Sequence, residues 1–420
     1  MRVVCSPNPA PLSPNEGVAF SLFRGPQNKG VGHLAGGLPD EVRKAGIEPS
    51  ERSWDFLVIA LSVVAADFGC KRENSPDGWT REISLEVSVL DPDFWSTRGT
   101  DLEEALAYLS GDIWRLEFRP GGASPPVLTS RRERKTEGDC ACLLSGGADS
   151  LVGAIDAVAE GKTPVLVSRR AGDSDRQKRF ARSLGRFQSH LQLHSAKPPG
   201  ENSQRARSIL FLAYGLVAAM HLSEKDSGNR KTLLVPENGF ISLNVPLTPL
   251  RAGSLSTRTT HPYFIRKIQA IFDACGFPVE IENPYQFKTK GEMFAECKNP
   301  ELLRKLASQS MSCSRSTRLH QHCGRCVPCL IRRAAFVRAG IYDETSYHYS
   351  NLSINDAAHL HFDDVQAARY AIHSVATKGV GRWAGSAISI AQLGEREPYL
   401  SVAERGIREL KTLFQGMGIQ

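Results

Sequence analysis

Hydrophobic residues follow two different spacings along the first part of the chain. Every second residue is apolar at 82–90 and again at 113–118, which predicts two strands with one buried face. Ahead of these strands, the apolar stretch at 54–68 predicts a helix. Because this region shows no motif with recognisable chemistry, we predict only its class, an α+β domain over residues 1–128.

From residue 137 onward, short apolar runs alternate with helical patterns. Candidate strands lie at 140–144, 164–168 and 232–236, and candidate helices begin at Asp149 and Ser203. Regular alternation of strands and helices is typical of a parallel sheet covered by helices. Ligands of such sheets bind at the carboxyl ends of the strands, so a functional site is expected at that edge.

Changes in composition suggest where the domains end. Residues 120–126 are rich in proline and glycine, and a basic run follows at 131–135. We interpret the run as an exposed linker, and contact with a phosphate or a partner is the alternative. Helical patterns at 363–377 and 401–416 predict a C-terminal extension. The predicted domains are 1–128, 137–345 and a helical extension at 346–420.

Composition narrows the function classes only slightly. The 420 residues are 41% hydrophobic and 23% charged, as in an ordinary globular protein. A net charge of +7 suits a phosphate-bearing ligand or an acidic partner and is weak evidence for nucleic acid. The longest apolar runs, 56–66 and 209–220, are shorter than the roughly 20 residues of a membrane helix. With no secretory signal visible, we expect a cytoplasmic protein.

The sequence Ser-Gly-Gly-Ala-Asp-Ser at 145–150 separates a predicted strand from a predicted helix. Unpaired backbone N–H groups at a helix start favour an anion, and Gly146 and Gly147 let the backbone approach one closely. Ser145 and Ser150 can donate hydroxyl hydrogen bonds to phosphate oxygens. Asp149 can cap the helix or position Mg²⁺. The alternative is an ordinary capped helix after a glycine-rich turn.

Four cysteines within a short stretch indicate a metal site. They are Cys313, Cys323, Cys326 and Cys329, the last three spaced as C-x-x-C-x-x-C. Four thiolates can close a tetrahedron around Zn²⁺, and a site with no open position is structural. We expect the nearby His320 and His322 to be exposed loop residues. Cys140 and Cys142 share one face of a strand and are interpreted as core residues.

The loop at 145–150 resembles that of the ATP pyrophosphatase (PP-loop) superfamily, whose members cleave ATP between the α and β phosphates and transfer AMP. With the cysteine quartet, the chain resembles the QueC family of 7-cyano-7-deazaguanine synthases. The segment 283–293, with Lys290 and Glu292, and the helix at 207–215 carry further resemblance. The match covers about 137–340, so the resemblance implies a PP-loop fold there, with a structural zinc site.

Other parts of the chain depart from the ordinary synthase. The first 120 residues and the last 70 are extra, and the segments 236–250 and 255–264 differ. The whole combination resembles the QueC-like proteins of bacterial anti-phage operons. The nearest resemblance is to QatC of the Qat system, and the QueC-like component of type IV CBASS is a near relative.

Ordinary QueC enzymes use ATP and ammonia to convert 7-carboxy-7-deazaguanine to its nitrile, with an adenylated carboxylate. In the defence relatives, the resemblance implies that the activated acyl group passes to the N-terminal amine of a partner protein from the same operon. Nitrile synthesis and a non-catalytic nucleotide-binding scaffold stay as alternatives. Outside the quartet no cysteines are spaced C-x-x-C, which disfavours a tRNA-thiolating enzyme. The expected cofactors are ATP, Mg²⁺ and structural Zn²⁺.

Three groups of candidate site residues follow. The candidate catalytic residues are Asp149, Lys290, Glu237, Arg258 and His261. The candidate ATP-binding residues are Ser145, Gly146, Gly147, Asp149, Ser150, Ser168, Arg169 and Gln177. The candidate substrate-binding residues are Asn238, Arg251 and Thr259. Arginine suits a carboxylate or phosphate because its guanidinium pairs with two oxygens. A surface salt bridge or a turn is the alternative for these polar residues beyond the loop. We expect the domain at 1–128 to dock the partner protein.

Overall fold

Two five-stranded sheets, each with all strands parallel, organise the chain. The computed structural model describes residues 1–13, 15–23, 29–128, 136–170, 172–195, 200–201, 205–247, 258–313, 321–352, 364–389 and 395–419. The basic run at 131–135 lies outside the described residues.

The first sheet has the strand order β3-β2-β1-β4-β5. Its strands are β1 Arg2–Ser6, β2 Val18–Leu22, β3 Val31–Leu34, β4 Glu82–Ser88 and β5 Ile113–Arg119. Its helices are α1 Leu38–Lys44, α2 Glu51–Gly69, α3 Pro92–Ser96 and α4 Gly99–Ser110. The predicted helix and both predicted strands are confirmed. The domain is nevertheless α/β rather than the predicted α+β, because all of its strands pair in parallel. Strands β1 to β3 were not predicted from the sequence.

The second sheet has the strand order β10-β9-β6-β7-β8. Its strands are β6 Cys140–Leu143, β7 Pro164–Arg169, β8 His190–Leu193, β9 Lys231–Leu234 and β10 Val279–Glu282. The helices around it are α5 Ala148–Ala159, α6 Ser174–Ser183, α7 Ser208–Lys225, α8 Gly239–Ser242, α9 Pro262–Ala274, α10 Lys290–Ala295 and α11 Pro300–Leu306. The predicted parallel sheet flanked by helices is confirmed. Cys140 and Cys142 are buried in it, as expected.

Helices α2 and α7 lie face to face between the two sheets. Helix α2 packs on β1, β2 and β4, helix α7 packs on the second sheet, and the two helices contact each other. Residues 53–68 of α2 are all buried, since a helix covered on every side must be apolar around its circumference. One apolar core therefore joins both sheets. The domain boundaries stay predictions.

The last part of the chain is helical, as predicted. Its helices are α12 Val327–Ala339, α13 Asp364–Lys378, α14 Val380–Ile388 and α15 Arg396–Gly416. They form a separate apolar core together with α8. Among the described residues, no helix is long and apolar enough to cross a membrane.

Candidate active site and zinc centre

The loop at 145–150 joins β6 to α5 and is shaped by its own serines. The hydroxyls of Ser145 and Ser150 lie 3.0 Å apart and share a hydrogen bond. The Ser150 hydroxyl also lies 3.1 Å from the carbonyl oxygen of Gly147, and the N–H of Gly147 donates to Ser145 Oγ at 3.2 Å. Gly146 has φ +90°, a conformation that favours glycine. The loop is thus a compact turn at the start of α5.

Asp149 is buried in the first turn of α5 and has two polar partners. Its Oδ1 lies 2.9 Å from the Lys290 ammonium, and its Oδ2 accepts a hydrogen bond from the Asn238 amide at 2.9 Å. Burial works to raise the pKa of Asp149, but the Lys290 charge and hydrogen bonds from its neighbours outweigh it and lower that pKa. Asp149 is therefore held as a carboxylate.

Local structure places both partners of Asp149. Asn238 follows β9 and caps α8, with its Oδ1 accepting from the N–H of Ile241 at 3.0 Å. Lys290 is the first residue of α10, which begins with a capping box between Thr289 and Glu292. Because β6 and β9 are neighbours in the sheet, their following segments meet at its carboxyl edge. Three predicted site residues distant in sequence thus come together.

Glu237 lies beside this cluster. The Asn238 amide nitrogen is 3.4 Å from Glu237 Oε1. Burial and the negative charge of Asp149 raise the pKa of Glu237 well above its usual 4.5. The side chain of Asn283 holds the Glu237 backbone by donating to its carbonyl oxygen at 2.8 Å and accepting from its N–H at 3.3 Å. Sequence reasoning missed Asn283 as a site residue, although it lies in the QueC-like segment.

The candidate ATP residues beyond the loop support the edge of the sheet. The Ser168 hydroxyl donates to the carbonyl oxygen of Leu144 at 2.6 Å. The Gln177 amide donates to the carbonyl oxygens of Ser145 and Arg169, each at 3.2 Å. Arg169 donates to the Ser195 hydroxyl at 3.1 Å. Ser168 and Gln177 thus bond the backbone at the end of β6 and at the start of the loop. A role in ATP binding stays a prediction.

Arg258 and His261 lie at a different interface. The Arg258 guanidinium lies 4.7 Å from the centre of the Tyr108 ring in α4. His261 caps α9, and its Nε2–H donates to the carbonyl oxygen of Ala387 in α14 at 3.1 Å. Burial lowers the pKa of His261 to about 4, so the ring is neutral. Thr259 lies in the short turn 258–260, and Arg251 falls outside the described residues. Their site roles stay predictions.

The four cysteines form a cluster suited to one zinc ion. Their sulfur atoms all lie within 4.8 Å of one another, and two of the pairs are 3.9 Å apart. A Zn–S bond of about 2.3 Å in a tetrahedron gives an S···S edge of about 3.8 Å, so the set fits Zn²⁺. All four are free thiols rather than disulfides. Four sulfurs leave no open position, so the predicted role is structural.

The expectation that His322 is an exposed loop residue is wrong. His322 is buried, and its Nε2–H donates to the carbonyl oxygen of Ser310 at 3.1 Å. This contact joins His322 to the segment that leads to Cys313, and its Nδ1 lies 3.7 Å from Cys329 Sγ. His320 falls outside the described residues.

The zinc centre is joined to the candidate ATP loop. The N–H of Met311, two residues before Cys313, donates to the carbonyl oxygen of Gly146 at 3.0 Å. Arg332, buried in α12, holds the same segment by donating to the Ser310 hydroxyl at 2.7 Å. No sequence signal pointed to this link, since it depends on two backbone groups.

Residues 259–340 match the family model described as queuosine biosynthesis protein QueC. This part of the chain is QueC-like. It contains Lys290 and the four cysteines, whereas the loop at 145–150 lies outside it. The QueC family consists of ATP-dependent enzymes. Searches of curated proteins and of solved structures found no match to the chain.

Proposed function

We propose that this protein is a QueC-like enzyme that uses ATP to adenylate the carboxylate of 7-carboxy-7-deazaguanine. The deazaguanine acyl group then passes to the N-terminal amine of a partner protein, in an anti-phage defence system of the Qat type. The observation that carries the proposal is the meeting of Asp149, Asn238 and Lys290 beside the glycine loop. The QueC match at 259–340 supports the deazaguanine substrate.

Adenylation makes an unreactive carboxylate electrophilic. A carboxylate oxygen of the substrate attacks the α-phosphorus of ATP, the bond to the bridging oxygen breaks, and pyrophosphate leaves with the electron pair. The acceptor amine then attacks the acyl carbon, AMP leaves, and the amine loses one proton. One amide bond is formed at the expense of one phosphoanhydride bond.

The residues at the sheet edge suit the first step. The start of α5 offers backbone N–H groups and the positive end of the helix dipole to phosphate oxygens. The hydroxyls of Ser145 and Ser150 can reorient from each other to the phosphates. Lys290, buried beside Asp149, brings a fixed positive charge to where pyrophosphate charge develops.

Asp149 and Glu237 place two carboxyl groups side by side, and carboxylate oxygens are the ligands that Mg²⁺ prefers. Bound there with ATP, Mg²⁺ would neutralise charge on the leaving pyrophosphate. Without a bound cation, the raised pKa of Glu237 favours its protonated form, and Mg²⁺ would replace that proton and hold Glu237 as a carboxylate ligand.

The purified chain provides the first test. With ATP, Mg²⁺ and 7-carboxy-7-deazaguanine, we expect AMP release that depends on an added amine, and none from Asp149→Ala. Ammonia as the acceptor reports nitrile synthesis, and a peptide with a free N-terminus reports acyl transfer.

The second test is the intact mass of the operon partner, co-expressed with wild-type chain or with Asp149→Ala. A gain of one deazaguanine acyl group that is lost with the variant supports the proposal. Nitrile without any modified partner favours ordinary synthase activity. ATP binding without turnover under any condition favours a scaffold.

A further inference from the structure

The C-terminal helix α15 lies against both short helices that carry the partners of Asp149. Asn238 caps α8 and Lys290 begins α10, and α15 contacts both helices. Helix α15 lies beyond residues 259–340, the part of the chain that matches the QueC family.

Polar contacts join α15 to the start of α10. The Thr289 hydroxyl, which caps α10, donates to the Glu409 carboxylate. Arg405 donates from Nε to Glu292 Oε1 at 2.5 Å and from its terminal nitrogen to the carbonyl oxygen of Phe287 at 2.6 Å. Thr289 and Glu292 form the capping box of α10. Both members of the box that orients Lys290 are thus held from α15.

Close packing joins α15 to α8. A Cβ atom at Gly406 would lie 2.4 Å from the Phe240 ring, so only glycine allows this approach. Phe240 lies in the four-residue helix that Asn238 caps, two residues after it. Helix α15 therefore also limits how far Asn238 can move from Asp149.

We propose that α15 positions Lys290 and Asn238 against Asp149, and that Glu409 is the positioning residue for Lys290. The contact that carries this is the hydrogen bond from Thr289 to Glu409. A buried carboxylate costs free energy unless it is hydrogen-bonded, and Glu409 is only 9% exposed. The proposal rests on the proposed function, since the meeting of these three residues is the observation that carries it.

Selective acylation of lysines tests the proposal directly. Wild-type chain, Glu409→Ala and Glu409→Gln are treated with limiting acetic anhydride, and acetylation of Lys290 is measured by peptide mass spectrometry relative to the exposed Lys305. The matched control on the same helix is Glu404→Ala, whose partner Arg408 is exposed. Glu409→Met keeps the side-chain volume without an acceptor and serves if Glu409→Ala does not fold.

We expect the Lys290 to Lys305 ratio to rise about tenfold in Glu409→Ala or Glu409→Met, a free-energy change of about 1.4 kcal/mol. In Glu409→Gln the ratio stays within about twofold of wild type, because the amide oxygen still accepts from Thr289. An unchanged ratio in the folded Ala or Met variant overturns the proposal. A rise in Glu404→Ala as well shows general loosening of α15 and also overturns it.

Binding of a non-hydrolysable ATP analogue separates this proposal from the proposed function. Failure of the wild-type chain to bind the analogue counts against the proposed function, while the acylation ratio still decides the role of Glu409. If the wild-type chain binds, we expect affinity to fall about fivefold in Glu409→Ala and to recover in Glu409→Gln.

Discussion

The two sheets share one topology but present different chemistry. Counted from the first strand of each, both run third, second, first, fourth, fifth, with every strand parallel. In both, the first and fourth strands are neighbours, which is where ligands of such sheets bind. The fold alone therefore provides two equivalent edges, of which the second carries the candidate site.

The first sheet fills this position with its own carboxylate. Asp55 of α2 accepts hydrogen bonds from the N–H of Leu90 at 2.9 Å, the N–H of Asp91 at 3.2 Å and the Trp95 indole at 3.1 Å. Leu90 and Asp91 lie two and three residues after the end of β4, and Asp55 is 1% exposed. Donors that would otherwise bind an outside anion are satisfied internally.

In the second sheet, the backbone N–H groups at the carboxyl edge belong to the glycine loop and the first turn of α5. Asp149 points away from the loop backbone to Lys290 and Asn238, and the glycine turn stays close to the sheet edge. The connecting segments, rather than the strand order, therefore decide which edge can bind a ligand.

Removing Asp149 gives the largest expected effect. We expect Asp149→Asn to lower the rate of AMP formation by about 1000-fold, because Lys290 loses its charged partner and Mg²⁺ loses a ligand. Steady-state kinetics measure the loss. Asp55→Asn, at the carboxyl edge of the first sheet, should stay within about threefold of wild type. A comparable loss of AMP formation in both variants would contradict the assignment of the active site to the second sheet alone.

Removing Asp55 tests the internal carboxylate of the first sheet. We expect Asp55→Ala to lower the free energy of unfolding by about 3 kcal/mol, because the N–H groups of Leu90 and Asp91 and the buried Trp95 indole lose their acceptor. Urea denaturation measures the loss, and binding of the ATP analogue should not change in the folded protein. Asp93→Ala, on the exposed side of the neighbouring helix, is the matched control.

Acid should weaken the second sheet before the first. Burial lowers the pKa of His221 in α7 and of His261 in α9 to about 4, from an ordinary 6.5. On acidification, the unfolded chain binds these protons at a higher pH than the folded chain does. The free energy of unfolding is therefore unaffected above pH 6.5 and falls as the pH drops towards 4. At pH 5 each histidine lowers the free energy of unfolding by about 2 kcal/mol.

Hydrogen exchange at pH 7 and pH 5 measures this order. Within residues 1–128 the sequence has one histidine, His33, and it is exposed. Earlier loss of protection in β1 than in β6 at pH 5 would contradict the prediction. His261→Asn, which retains a side chain able to cap α9, should reduce the acid effect.

Metal removal gives the smallest expected effect. It tests whether the zinc centre supports the loop at 145–150. A chelator should release one Zn²⁺ per chain and weaken binding of the ATP analogue about tenfold, because the Met311 contact to Gly146 loosens. Metal analysis and calorimetry measure both. Protection of β1 and β4 should not change, since both strands belong to the first sheet. Unchanged analogue affinity in the zinc-free protein would contradict the link.

Much of the fold and part of the site could be predicted from the sequence. Three strands of the second sheet, β6, β7 and β9, followed from their apolar runs, whereas β8 and β10 were not predicted. The first sheet was assigned to the wrong class because β1, β2 and β3 were not recognised as strands, so only two strands of that domain were predicted. Strand pairing direction is not encoded locally, so such strands carry no signal of it.

The glycine loop, Asp149 and the zinc-spaced cysteines could be recognised from the sequence alone. They depend on near neighbours in the chain, where turn geometry and metal-ligand spacing act. The fold was needed to show that Asn238 and Lys290 reach Asp149, that Arg258 and His261 face another interface, and that α15 holds the starts of α8 and α10. Those contacts join residues far apart in sequence, and strand order and helix packing alone bring them within hydrogen-bonding distance.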